Sequence, residues 1–443
     1  MTNENIKILA IETSCDETAA AVITYSCHPR PDRGSNIVDS RLRGNDSPVV
    51  LSNIISSQVD LHAKTGGVVP EVASRAHMEA MIPVIKEALM TANPKSQILN
   101  SKQIINSKSK KLGANSLKLE ADVLKDITHV AVTAGPGLIG SLLVGFNTAK
   151  ALAYSLDLPI IPINHIEGHV YSALAEQFPI SNDQFPMISL TVSGGHTSLT
   201  LVKDHGVYEN LGSTLDDAAG EAFDKVAKLL ELGYPGGPAV SRYAAAYREK
   251  NPKSQILKSK QILNSKSEIQ NNRTIEQSNN GAIVFPRPIL NDGTFNFSFS
   301  GLKTAVLTEV IKLRTMDYKL PTEEICAAFE DAAVDVLTTK TMRAVLKYKP
   351  KGVILAGGVS ANRRLQEELA RKMNEYNEKL EETDQINFYL PPRDMTGDNA
   401  AMIGLAAYFH ISKGDVKLWN EIEIDSNMKL QNDKHHTLER AWC

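Results

Sequence analysis

Short apolar runs closed by glycine, proline or hydroxyl-bearing turns recur along the chain, alternating with longer stretches of helical period. Ile6 to Ile11 predicts a strand, and Ala19 to Thr24 its hairpin partner. Ala73 to Met90 carries helical periodicity. Val130 to Thr133 predicts a short buried strand, followed by a Gly/Pro turn and a helix from Gly140 to Leu156. Ile160 to Asn164 predicts another strand, leading straight into a helix that carries His165 and His169. A second half begins in the same way. Strand Met187 to Val192, a Ser-Gly-Gly turn and strand Thr197 to Val202 precede a helix from Asp217 to Leu232. A helix from Thr322 to Lys347 follows, and strand Gly352 to Ala356 then passes through Gly357-Gly358 into a new helix. Strand-loop-helix units in two similar halves predict an α/β architecture.

Three segments break this pattern. Ser26 to Ser47 is rich in Arg, Pro, Asp, Asn and Ser. Asn93 to Lys110 and Asn251 to Glu268 agree at 15 of 18 positions, 158 residues apart, while their flanks do not match. Both copies are Lys/Ser/Asn-rich and lack aromatics, the composition of surface insertions. The chain of 443 residues is 42% hydrophobic and 22% charged, enough for a large core and two domains. Its net charge of -3 gives no global attraction to nucleic acid, so any RNA contact needs a local basic patch. Cys15, Cys27, Cys326 and Cys443 are scattered without CxxC spacing, which argues against a disulfide framework and a zinc ribbon. The polar start and the absence of a long apolar run lead us to expect a soluble, cytoplasmic protein.

Several loops have the composition of ligand sites. Glu12-Thr13-Ser14-Cys15-Asp16-Glu17-Thr18 joins the first two strands and offers hydroxyls and carboxylates to a ligand or hydrated cation, or forms a polar turn. Ser193-Gly194-Gly195-His196-Thr197 holds the matching place in the second half, where paired glycines permit positive φ and close backbone approach to an anion. Gly135 to Ser141 follows a strand and opens a helix, where free amides favour anions, and the Walker pattern occurs nowhere. Small residues in Ala356 to Asn362 leave room for a flat ring such as adenine, with Asn362 available for hydrogen bonds. Gly236-Gly237 forms another close-approach turn, and Asp224 on the preceding helix suits a ribose or a polar ligand group.

His165 and His169 stand four apart on one helix face, close enough to share a metal or to play a structural part. Glu167 does not directly follow the first histidine, so the protease pattern HExxH is absent. Asp398, in Met395-Thr396-Gly397-Asp398-Asn399, is a plausible third donor at a helix start. Two imidazoles and one carboxylate suit Fe(2+) or Zn(2+).

Taken together the motifs resemble the universal tRNA threonylcarbamoyltransferase family in its bacterial TsaD branch. They are collinear: ETSCDET at Glu12, EVASRAH at Glu71, GPGLIGSLLVG at Gly135, NHIEGH at Asn164 and VSGGHT at Val192. DDAAGEAFDKVAKLL at Asp216, YPGGP at Tyr234, FSFSGLKTAV at Phe297, AGGVSANRRL at Ala356 and TGDNAAMIG at Thr396 complete the set. The resemblance implies the two-lobed fold of actin, the sugar kinases and the Hsp70 ATPase around a central ligand cleft. Its lobes are expected at residues 1–170, with inserts near 26–47 and 93–120, and 171–412, with an insert near 251–280. Residues 413–443 stay unassigned. It implies one divalent metal per subunit, iron ahead of zinc, on His165, His169 and Asp398. It implies binding of threonylcarbamoyl-adenylate by Thr191, Val192, Ser193, Gly194, Gly195, Asp224, Gly237 and Asn362. The threonylcarbamoyl group would pass to the exocyclic amine of the adenosine 3′ of the anticodon, in tRNAs reading codons that begin with A. The partners implied are tRNA and the TsaB and TsaE proteins, with no membrane. No side chain is assigned as a general base, and Cys15 is read as structural. A metalloprotease or an ATP-dependent kinase-like protein of the same fold is the competing expectation.

Overall fold

The computed structural model describes residues 6–25, 47–93, 124–252, 283–316 and 318–430. Most of the three insert segments and the end of the tail lie outside them. In the first half, β1 (Ile6–Glu12), β2 (Glu17–Tyr25), β3 (Pro48–Ser57), β4 (His129–Gly135) and β5 (Ile160–Asn164) form one sheet in the order β3-β2-β1-β4-β5. In the second, β6 (Met187–Val192), β7 (Thr197–Asp204), β8 (Val207–Ser213), β9 (Gly352–Ala356) and β10 (Asn387–Tyr389) form another in the order β8-β7-β6-β9-β10. Each sheet pairs its first three strands antiparallel and its last three parallel. The same topology occurs twice, which is the duplicated two-lobed fold of the actin, sugar-kinase and Hsp70-ATPase class.

The helices complete five layers. α1 (Val59–Ala63) leads into α2 (Pro70–Thr91), and α2 with α3 (Ile139–Leu156) covers the outer face of the first sheet, burying Leu9, Ile11, Met81, Ile85, Val132 and Phe146. α4 (His165–Ala173) follows β5. α5 (Ala219–Leu229), α6 (Gly236–Lys250), α7 (Ser300–Thr315), α8 (Thr322–Tyr348) and α9 (Arg363–Asn377) cover the outer face of the second sheet around Phe223, Phe299 and Phe329. α10 (Ala400–Ser412) follows β10, so it is the counterpart of α4 in the duplicated topology. These two helices form the middle layer, and their shared core joins residues of both sheets, among them Ile8, Ile163, Ile354 and Tyr389. All nine residues of α4 are buried, so every polar side chain on it needs a partner inside the protein.

Residues past α10 return to the first lobe, where the sequence had left a tail without assignment. Lys417 pairs with Ile160, the Asp425 amide donates to the Ala134 carbonyl, and Ile422, Ile424 and Met428 join the core beneath α2 and α3. Their apolar residues are too sparse to form a periodic run, so only packing reveals the segment. No helix among the described residues is long and apolar enough to cross a membrane.

Candidate functional site

β5 ends at Asn164, whose side chain caps α4 by accepting from the amides of Ile166 (2.8 Å) and Glu167 (3.4 Å). Asn399 does the same for α10 by accepting from the Met402 amide at 3.0 Å. Two equivalent helices thus begin side by side, each under an asparagine cap, with His165 just inside one start and Asp398 just outside the other. His165 Nε2 lies 3.5 Å and His169 Nε2 3.1 Å from Asp398 Oδ1, and one donor atom from each residue falls within 4.8 Å of the others. The three expected ligands are brought together.

The donor set fits a divalent metal. Among the described residues neither ring nitrogen of the buried His169 has a hydrogen-bond partner, although Nε2 lies 3.1 Å from Asp398 Oδ1. Leaving a buried imidazole so unsatisfied costs about 1–3 kcal/mol, which a coordinated ion would offset. Burial opposes charge on His165, but the Asp398 and Glu12 carboxylates outweigh it and raise its pKa to about 9. Burial likewise works against the Asp398 carboxylate, and His165 and His169 together hold it well below its usual range.

Glu167 is turned to other work. Its carboxylate accepts from the Tyr208 hydroxyl at 2.7 Å and meets His410 Nε2 at 3.0 Å, so it braces α4 against β8 and α10. A protease base would have to face the metal. Glu12, expected in a ligand-facing loop, is also buried, behind His165, with Oε2 at 3.1 Å from Nδ1.

The second lobe supplies the opposite wall. Thr191 and Val192 lie within β6 and are fully buried and Ser193 is buried too, so the loop exposes Gly194 and Gly195. Neither glycine has a positive φ. Their value is space, since a Cβ at Gly194, Gly195, Gly237, Gly358 or Gly397 would meet nothing within 4 Å. The Ser193 amide is already committed to the His196 carbonyl at 2.7 Å, which leaves the Gly194 and Gly195 amides as the loop's donors for an anion. His196, which the sequence did not single out, sets its ring 6.1 Å from that of His165, which brings this loop beside the start of α4. Burial and the neighbouring His165 and His169 lower its pKa to about 4, so it is neutral at pH 7.

Asp224 on α5 accepts from the Gly236 amide at 2.7 Å and so holds the Tyr234-Pro235-Gly236-Gly237 segment at its side. Burial raises its pKa. The Gly-Gly pair, expected as a turn, instead opens α6, where Pro238 sits in the first turn and loses no helical hydrogen bond. Asn362 caps α9 by accepting from the Leu365 amide, and its own amide donates to Glu330 (2.8 Å) and Ser241 (3.0 Å). Its side chain therefore shapes the pocket wall more than it offers free donors. Gly357 stands at φ +84°, and a Cβ there would come within 2.5 Å of the Val192 carbonyl oxygen, so only glycine lets β9 turn this closely against β6. All these groups gather beyond the carboxyl ends of β6 and β9, where α/β sheets bind ligands.

The profile described as TsaD, tRNA N6-adenosine threonylcarbamoyltransferase, matches residues 49–101, 114–265 and 246–405. It is interrupted after 101 and restarts in the overlap 246–265, within or beside the two near-identical Lys/Ser/Asn-rich stretches. A tRNA N6-adenosine threonylcarbamoyltransferase of Geotalea uraniireducens is 40% identical over 405 residues, covering 91% of this chain and 91% of its own. One from Staphylococcus haemolyticus is 38% identical over 430 residues, covering 97% of this chain and 98% of its own. Among solved structures, HypF of T. kodakarensis aligns with a TM-score of 0.43 at 14% identity, over 68% of this chain and 44% of that one.

Proposed function

The chain belongs to the tRNA N6-adenosine threonylcarbamoyltransferase family, and from that premise we propose how its cleft carries the reaction. It is an acyltransferase that modifies tRNA by moving a threonylcarbamoyl group onto the exocyclic amine of an adenosine. In our reading the donor is threonylcarbamoyl-adenylate and the acceptor is the adenosine 3′ of the anticodon in tRNAs reading codons that begin with A. The observation that carries the site assignment is the convergence of His165, His169 and Asp398 against the Ser193-Gly194-Gly195 loop.

His165, His169 and Asp398 would hold one divalent ion, iron(II) ahead of zinc, in keeping with a two-nitrogen, one-oxygen donor set. Bound there, the ion would supply Lewis-acid chemistry toward the transferred carbonyl or the donor. The Gly194 and Gly195 amides stabilise negative charge that develops as the amine attacks. The open faces of Gly237 and Gly358 receive the adenylate, with Asp224 at the edge of that pocket.

One candidate docking face lies on the outer helices of the first lobe. α2 and α3 pack together and expose two pairs at helical i, i+4 spacing, Met78 with Ile82 and Ile139 with Leu143. Such a face suits helix-to-helix docking, and we assign it to TsaB. TsaE as a further partner rests on family membership alone, and a cytoplasmic location on the tRNA substrate.

The test is nucleoside analysis of tRNA from cells whose sole copy of this protein carries His165→Ala with His169→Ala. Threonylcarbamoyladenosine should fall at least ~100-fold while the purified variant stays folded and loses its metal. Normal levels of the modified nucleoside would show the metal-centred assignment to be wrong.

A further inference from the structure

Glu12 ends β1 with its side chain wholly buried, a position where an ionised carboxylate needs several partners. It has three. Oε1 accepts from the Ser14 amide at 2.5 Å. Oε2 accepts from the Thr133 hydroxyl on β4 at 2.5 Å and lies 3.1 Å from His165 Nδ1. The Ser14 hydroxyl stands 3.1 Å from the same nitrogen. A carboxylate has no proton to offer, so Nδ1 must carry the hydrogen and donate it. With Nδ1–H held by Glu12, Nε2, the atom facing Asp398, is the nitrogen that gives up its proton and offers a lone pair when an ion binds. Glu12 itself is tied to β1, β4 and the following loop at once, so it cannot swing to follow the imidazole. The ring has to come to it.

We infer that Glu12 is a positioning residue of the metal centre: it fixes the tautomer and plane of His165 so that Nε2 is presented to the ion. The inference rests on the metal assignment proposed above and adds a partner behind one ligand. Histidine ligands commonly donate their second nitrogen to a carboxylate in this way, and losing such a partner weakens metal binding by roughly 10–100-fold. The two ligands differ here, because no hydrogen-bond partner meets His169 Nδ1 among the described residues. His165 is the ligand whose orientation is enforced, and Glu12 is what enforces it.

The experiment uses the full chain, with Zn(2+) as the probe, and competition with a chromophoric chelator as the affinity measurement. Wild type should bind one ion, and His165→Ala with His169→Ala should not; failure of this step overturns the metal assignment itself. Given binding, Glu12→Ala and Glu12→Gln should each bind at least ~10-fold more weakly. Glutamine fails because it cannot accept from both His165 and Ser14: one orientation opposes an NH2 to the Ser14 amide, the other to Nδ1–H. Proton-nitrogen NMR of the zinc-loaded wild type should show a slowly exchanging His165 Nδ1–H. That readout needs no variant to fold. A His165 bearing its proton on Nε2 instead, or Glu12 variants with wild-type affinity, overturns the inference while leaving the metal assignment standing.

Discussion

His410 lies between two carboxylates, with Nε2 3.0 Å from Glu167 and Nδ1 2.8 Å from Asp415. Both nitrogens face acceptors, so the ring is an imidazolium. Burial opposes that charge, but Glu167 and Asp415 raise its pKa from 6.5 to about 10. The sign is then settled. The folded state holds the proton more tightly than the unfolded chain, so the stabilisation is complete below pH 6.5 and is lost as pH rises through about 10. Thermal unfolding of the wild type should show a falling midpoint across this window. His410→Gln should flatten that fall and cost about 3 kcal/mol at pH 7, since Glu167 would keep its burial and lose its cation. A wild-type midpoint independent of pH from 7 to 10 would refute the assigned charge state. None of this was visible in the chain, because Glu167 and His410 are 243 positions apart and carry no motif. His165 and His169 were visible because a helix turn places them together whatever surrounds them. His77 shows an intermediate case. It belongs to a recognised motif, yet its role in bonding the Cys15 carbonyl (3.0 Å) and the Thr18 hydroxyl (2.7 Å) depends on where α2 docks.

At the level of elements, His165, His169 and Asp398 meet because α4 and α10 start together and stay in contact. Gly168 permits the contact: a Cβ there would approach Ile403 Cδ1 to 2.9 Å and Met402 Cγ to 3.1 Å. Alanine should be absorbed by movement of those flexible side-chain ends, offset by better helix propensity worth about 1 kcal/mol. Valine should not, since overpacking of a filled core costs about 1–3 kcal/mol and is relieved by moving one helix. We expect Gly168→Val to weaken metal binding at least ~10-fold with most of the fold retained, measured by chelator competition and circular dichroism. Unchanged affinity would mean that Asp398 is held by its own loop and not by α10. The buried strands β1, β2, β4, β5, β6, β7 and β9 were legible as apolar runs. β3, β8 and β10 were not, for β3 is a largely exposed outer strand and β10 has three residues. α6 was missed because its Gly-Gly-Pro start reads as a turn until the Asp224 bond to Gly236 orders it.

For the whole molecule, five layers bring the candidate metal ligands to the junction of two copies of one topology, with an exposed apolar surface on the far side of the first lobe. If α2 and α3 dock TsaB, Met78→Asp with Ile82→Asp should reduce association at least ~100-fold, as charges are forced into an apolar interface. Both side chains are more than half exposed, so folding of the isolated chain should be nearly unaffected. Analytical ultracentrifugation with the purified partner decides this, and undiminished association would move the docking face elsewhere. The sequence by itself determined the α/β class, the division into two halves and the family, and it singled out His165, His169 and Asp398 as candidate donors. It could do so because periodicity, turn chemistry and motif order are properties of neighbouring residues. Tertiary structure alone decided that Asp398 stands beside the histidines, that Glu12 and Glu167 face inward, and that residues after α10 complete the first lobe. These facts depend on the packing of two helices between two sheets, a contact set by shape and burial across more than two hundred residues.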